Sequence, residues 1–181
     1  MAPILIVTGS PGAGKTTVAR ALAADGARGV HLEGDAFYRF LPKLIAPTRP
    51  ESKEQNATII RASLRAAAAY DAGGYEVVVD GIFGPWFLPL VAEELAVADY
   101  VILRLDEERA VRRAGARAAY PGDPAMVRQM NAAFAAVGDH ERHVIEVGDR
   151  TARDIADEIA HRRGRGDFRL DLALLRTTVP A

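Results

Sequence analysis

The sequence predicts an α/β fold with a five-stranded parallel sheet and helices on both faces. Three observations carry this. Short apolar runs alternate with segments of helical periodicity, the order of successive βαβ units. The clearest runs, Ile4-Leu5-Ile6-Val7 and Val77-Val78-Val79, are unbroken, as in strands buried on both faces. The chain has 181 residues, 49% apolar and 26% charged, which is enough for one domain with a real core.

The elements follow in order. Ile4-Leu5-Ile6-Val7 is the first strand, ended by a Gly-rich turn. Residues 16–24 read as a helix, and Val30-His31-Leu32 as a short second strand. Residues 51–72 read as a long helix stopped by Gly73-Gly74. Val77-Val78-Val79 is the third strand, closed by Asp80-Gly81, and residues 100–105 are the fourth. Residues 107–119 are helical until Tyr120-Pro121-Gly122-Asp123-Pro124 breaks them, and 125–137 are helical again. Residues 144–147 make the fifth strand and 151–163 a closing helix with Thr151 as its N-cap. After Gly164, Phe168, Leu170, Leu172 and Leu174 alternate with Arg169, Asp171 and Ala173, which is strand periodicity. That segment is expected first as a peripheral packing segment, the other readings being an added edge strand, pairing with another subunit or loose attachment. The domain is therefore set at 1–163, with a lid at about 113–127. The tail, 164–181, packs on the domain or on a partner subunit, which leaves a homodimer open.

Composition excludes several classes. No Cys is present, so disulfides, thiolate zinc sites and cysteine nucleophiles are ruled out. A net charge of −1 argues against a protein whose main work is coating nucleic acid. No apolar run approaches the roughly 20 residues that span a bilayer, and Ile4–Val7 lacks the basic flank of a signal peptide. A cytoplasmic, membrane-free protein is expected. Lys stands only at 15, 43 and 53, and Arg makes up the rest of the 23 basic residues. The skew itself reads as codon usage, but it draws attention to Lys15.

Gly9-Ser10-Pro11-Gly12-Ala13-Gly14-Lys15-Thr16 fits G-x-x-x-x-G-K-[ST] without mismatch, between a strand and a helix. Its glycines let successive backbone N–H groups converge into an anion nest, and the next helix points its positive end there. The motif makes the fold that of a P-loop NTPase. Lys15 would reach the β- and γ-phosphates of a nucleotide and the Thr16 hydroxyl a Mg²⁺ ion, with Thr17 beside it in the nucleotide site. No Asn-Lys-x-Asp stretch for reading guanine is present.

Phosphoryl transfer also needs a carboxylate to orient or deprotonate the attacking hydroxyl. Asp35 follows strand two and Asp80 ends strand three, and ligands of parallel sheets bind beyond those strand ends. Asp35 is the candidate for the acceptor side, the other reading being an N-cap near Phe37. Asp80 is the candidate for a Mg²⁺-bound water, the other reading being a turn aspartate before Gly81. Asp106 is the rival for the metal, although an N-cap before Glu107 explains it better. Arg113 and Arg117 lie four apart on one helix, ahead of the breaker, where a lid could swing them over phosphates. The Gly148-Asp149-Arg150-Thr151 turn is a place where adenine could rest. Phe83, Trp86 and Phe87 read as core, or as an apolar wall for an organic acceptor. His140 and His143 lack the pattern of a metal site and read as surface or packing residues.

With these residues in view, the chain resembles the P-loop small-molecule and nucleoside monophosphate kinase superfamily, most of all its chloramphenicol phosphotransferase-like branch. Gluconate and shikimate kinases are more distant. The similarity runs from about Ile4 to Arg163: the P-loop, Gly34-Asp35, Asp80-Gly81, the Arg113-x-x-x-Arg117 helix, and the last strand and helix. It implies a short lid, ATP and Mg²⁺ as cofactors, and Asp35 as base or hydroxyl orienter. It implies that Arg113 packs on adenine and that Arg117 contacts phosphates. Two departures matter. Ile82-Phe83-Gly84-Pro85-Trp86 stands where adenylate kinases carry an Arg, and no His-Pro pair follows Asp35 as in gluconate kinases.

The expected function is transfer of the γ-phosphoryl group of ATP to a hydroxyl of a small organic molecule, an antibiotic among the candidates. Lys15, Asp35 and Arg117 are the catalytic residues, and Thr16 and Asp80 the metal ligands. A nucleotide or nucleic-acid-end kinase is the alternative, suggested by the Arg162, Arg163, Arg165 and Arg169 cluster although the charge balance disfavours nucleic acid. An ATP-binding switch with little turnover is a third reading.

Overall fold

A computed structural model describes residues 2–116 and 123–177. Five strands form one parallel sheet: β1 (Ile4–Gly9), β2 (Gly29–Glu33), β3 (Glu76–Asp80), β4 (Ala98–Arg104) and β5 (Val144–Glu146). Their order across the sheet is β2-β3-β1-β4-β5. From central β1 the chain runs to the β2 edge, returns through β3 and then crosses to β4 and β5. The loops after β1 and β4 therefore lead to opposite sides and leave a crevice at the strand ends.

Side chains along the strands divide between two cores. Leu5, Val7, Val78, Val101 and Leu103 face one side, against α1 (Lys15–Asp25), α4 (Glu107–Gly115) and α6 (Ala152–Gly164). Ile4, Ile6, Val77, Val79, Tyr100 and Ile102 face the other, against α2 (Lys53–Ala72) and α3 (Leu88–Glu94). Burial on both faces explains why these strands read as unbroken apolar runs. Helix α5 (Pro124–Ala135) gives Val127 to the first core and Phe134 to the second.

Several sequence expectations shift. The long helix starts at Lys53, because Pro50–Ser52 forms a separate 3-10 turn. A 3-10 helix over Gly34–Phe40 replaces the helix expected near Phe37, and Asp35 lies inside its first turn rather than capping it. Asp106 caps α4, accepting the Arg109 N–H at 3.0 Å. Thr151 caps α6 as expected, in a reciprocal pair with Asp154. Strand periodicity in the tail ends at Leu170. Strand β5 is three residues long and leaves the first half of the β4 edge open. The tail fills that edge: Tyr100 N–H donates to Phe168 O and Leu170 N–H to Ala98 O, with Asp99 and Arg169 bridged antiparallel. The chain then turns into α7 (Leu172–Thr177), with Phe168, Leu170 and Leu172 buried. Among the described residues no helix is long and apolar enough to cross a membrane.

The cluster of Arg162, Arg163, Arg165 and Arg169 is paired internally. Arg163 and Arg169 hold buried Asp99 at 2.8 Å each, Arg165 pairs with Asp167 at 2.6 Å and Arg162 with Glu158 at 3.2 Å. Arg163 also donates to Pro3 O, at the end of the sheet away from the phosphate loop.

His143 is buried beside β4. The Arg142 Nε–H can only donate, so His143 Nε2 accepts it at 3.1 Å, and Nδ1–H donates to Tyr100 O at 3.0 Å. Burial, with the Arg142 charge, pushes its pKa down to about 4. The unfolded chain takes up this proton first, near 6.5, so stability falls from there until the folded form titrates near 4. We expect wild type to lose on the order of 3 kcal/mol more than His143→Gln between pH 7 and 4. Thermal unfolding of both across that range checks this.

Candidate active site

The phosphate loop leaves β1 at Gly9, whose φ is +143°. A Cβ there would lie 2.2 Å from Leu103 O in neighbouring β4, so only glycine fits the turn. Gly12, at φ +87°, likewise lies against Ala110 O of α4, where a Cβ would approach to 2.5 Å. The loop therefore passes close under α4. Gly14 is left-handed too and opens α1, whose first residues are Lys15, Thr16 and Thr17. Lys15 is buried, and its Nζ donates to Ser10 O at 3.1 Å. Thr17 is exposed at the start of the same helix.

The structure brings Thr16 and Asp80 together. Thr16 Oγ1 donates to Asp80 Oδ2 at 2.8 Å, and Asp80 is only 2% exposed. Its other oxygen, Oδ1, meets His31 Nε2 at 2.5 Å. No sequence signal points to His31. It becomes legible only through the register of β2 on β3, which pairs His31 with Val78 and Glu33 with Asp80. The turn after Asp80 is pinned from below. Gly81 N–H donates to Val7 O at 3.3 Å, Phe83 N–H to Thr8 Oγ1 at 2.9 Å, and Tyr100 Oη–H to Phe83 O at 2.6 Å. Burial pushes the Tyr100 hydroxyl far above its ordinary pKa, so it stays a donor.

Two hard oxygens side by side, on Thr16 and Asp80, suit Mg²⁺, which keeps several waters and takes other ligands from phosphates. They make no complete protein cage: among the described residues no group of three or more His, Cys, Asp or Glu could hold a metal.

Asp35 faces this pair from the end of β2. A Cβ on Gly81 would lie 3.5 Å from its Oδ1. Its side chain meets solvent, but the protein gathered around it thins the water and pushes its carboxyl above the ordinary range. The Lys15 charge opposes that rise, the Asp80 and Glu33 charges add to it, and the Ile82 N–H that Asp35 accepts opposes it. Tyr38 lies nearby. Burial and the Asp35 charge push its pKa up to about 12. Asn56 gives its amide hydrogens to Pro47 O and Ser52 Oγ, at 2.8 and 2.9 Å, so its Oδ1 receives the Tyr38 hydroxyl at 3.2 Å. This ties the segment after Asp35 to α2.

The other expected residues divide. Arg113 donates to Gly148 O at 3.3 Å, and Arg109 pairs with Asp149 at 2.8 Å, so α4 meets the turn proposed for adenine. Arg117 lies outside the described residues, as does the middle of the expected lid. The aromatic wall is corrected in part. Phe83 belongs to the core, because it points back under the sheet, whereas Trp86 is 45% exposed and packs on Phe87 and Phe134. Asn131, on α5, was not anticipated: its amide nitrogen reaches Ser10 Oγ at 3.2 Å and Leu105 O at 2.8 Å.

Solved structures share this fold. A sugar kinase from a Janibacter species matches at TM-score 0.73 and 19% identity, covering 89% of this chain and 94% of that one. The tunicamycin resistance protein of Deinococcus radiodurans matches at 0.67 and 17%, covering 91% and 96%. Shikimate kinase from Acinetobacter baumannii matches at 0.58 and 18%, covering 91% and 94%. At these identities the likeness is one of fold, that of P-loop kinases. A comparison with curated proteins returned no match. A family model described as AAA domain matches residues 5–132, from β1 through the phosphate loop and both carboxylates to α5. On that match across most of its length, the chain belongs to the AAA domain family.

Proposed function

We propose that this protein is a phosphotransferase that uses ATP and Mg²⁺ to phosphorylate a hydroxyl of a small organic molecule. The observation that carries the reading is the placement of Asp35. A carboxyl with a raised pKa stands across from Lys15 and from the Thr16–Asp80 pair. That is a proton acceptor beside a phosphate site, the arrangement hydroxyl phosphorylation needs.

The loop amides and Lys15 hold the β- and γ-phosphates. Arg113 lies where the adenine end would rest, and Arg117 is given the phosphate-contacting role that the family resemblance implies. Asp35 takes the proton of the acceptor hydroxyl as that oxygen bonds to the γ-phosphorus. The bond from phosphorus to the β–γ bridging oxygen breaks, and ADP leaves. Mg²⁺, held by Thr16 and through water by Asp80, would spread the phosphate charge. His31 fixes the rotamer of Asp80 from behind. The acceptor side exposes Phe40, Leu41, Leu44, Ile45 and Trp86. Such a surface suits an organic acceptor with a large apolar part, an antibiotic for example, and agrees with the chloramphenicol phosphotransferase-like resemblance.

The test is ADP release in a coupled assay across phenylpropanoid and aminoglycoside antibiotics, sugar acids, shikimate and nucleosides. One compound is expected to accelerate release with Mg²⁺ present, and EDTA to abolish the acceleration. Failure of the protein to bind ATP at all would overturn the reading.

A further inference from the structure

We infer that Asn131 is a positioning residue for the nucleotide site, acting through Ser10 on Lys15 and linking the phosphate loop to α5. The inference rests on the proposed nucleotide site and goes beyond it. Asn131 and Ser10 are 121 residues apart in sequence, and both are buried, at 9% and 1% exposure.

The polarity of the contact is fixed by chemistry. Leu105 O, at the end of β4, can only accept, so the Asn131 group 2.8 Å from it is the amide nitrogen. The same nitrogen lies 3.2 Å from Ser10 Oγ, so its second hydrogen goes there and the hydroxyl oxygen accepts. Ser10 is thus held at its side chain by Asn131, while its backbone carbonyl receives Lys15 Nζ at 3.1 Å. One residue of the loop carries both bonds. A shift of Ser10 moves the carbonyl that sets where the Lys15 ammonium sits.

A second contact makes the coupling mechanical. Gly12 of the same loop lies against Ala110 O of α4. Helices α4 and α5 flank residues 117–122 on either side and pack on each other. The loop is therefore gripped at Ser10 by α5 and at Gly12 by α4. A change in how these helices sit reaches Lys15 through the Asn131–Ser10–Lys15 chain. Contiguous hydrogen-bonded groups of this kind carry coupling between sites.

The test is a double-mutant cycle on Ser10→Ala, Asn131→Leu and the pair. It reads Mg²⁺·ATP affinity by calorimetry and thermal unfolding in parallel. Leu keeps the branching and heavy-atom count of the Asn side chain and removes both donors. Each single variant is expected to weaken ATP binding roughly 5- to 20-fold, and the pair no more than the weaker single, because both break one chain. Ser10→Ala, a smaller change, keeps the test alive if Asn131→Leu does not fold. Unchanged ATP affinity in either variant, or losses that multiply in the pair, would overturn the inference even if melting temperatures fall. A wild type that binds no ATP would instead remove the nucleotide reading itself.

Discussion

Replacing Asp35 by Asn should lower the acceptor-dependent rate by about 10²- to 10⁴-fold, the range for a lost general base. ATP affinity should stay within a few-fold of wild type, since in the proposed mechanism Asp35 serves the acceptor and the loop amides hold the phosphates. The pH profile gives an independent check. The base must be ionised to accept a proton. Because the protein gathered around it raises its pKa, the acid limb of wild type should sit higher than an ordinary aspartate would place it. Stability moves the other way. A carboxyl whose pKa rises on folding binds its proton more tightly folded than unfolded. Its ionised form therefore costs stability, a cost that sets in as pH rises through the unfolded value of about 3.9. Asp35→Asn should melt higher than wild type at neutral pH, with the gap closing in acid. A rate that survives the substitution would take Asp35 out of the mechanism.

Replacing Lys15 by Ala should reduce turnover by about 10²- to 10³-fold, the scale for losing one donor to developing charge. Unlike the Asp35 variant, it should also weaken ATP binding, because in the proposed mechanism the ammonium meets phosphate before and during transfer. The two variants thus separate the two halves of the site: one loses the acceptor response with nucleotide binding intact, the other loses both. Measuring ATP affinity beside turnover in each decides the matter. Equal loss of ATP binding in both would show that Asp35 holds the nucleotide and does not serve the acceptor.

The fold was largely legible because parallel strands buried on both faces read as unbroken β-branched runs, and Gly-Gly or Pro-Gly punctuation separates the helices. The phosphate loop was legible because glycine spacing is itself the structural requirement: Gly9 and Gly12 sit where the backbone of β4 or α4 leaves no room for a side chain. Asp35 and Asp80 could be nominated from their places after strands two and three. Two of the contacts that brace the site could not. His31 on Asp80 and Asn131 on Ser10 arise from strand register and helix docking across 49 and 121 residues, and neither leaves a local pattern. The helix at Leu172–Thr177 was not legible, because alternation at Phe168, Leu170 and Leu172 says which side chains are buried, not where a strand gives way to a helix.

The position of β1 in the middle of the sheet divides labour between two halves of the molecule. Apart from Asp80, what is proposed for the nucleotide hangs from β1, β4 and β5, whereas the proposed acceptor surface hangs from β2, β3 and the segments after them. The seam between the halves runs beside Asp80, at the end of β3, whose partner Thr16 belongs to the other half. Residues 39–51, exposed throughout, can therefore drift, lengthen or be exchanged like an interchangeable jaw, whereas the turn after Asp80 stays fixed to Thr8 and Tyr100. The phosphate chemistry, anchored on the far side of the seam, need not change with them.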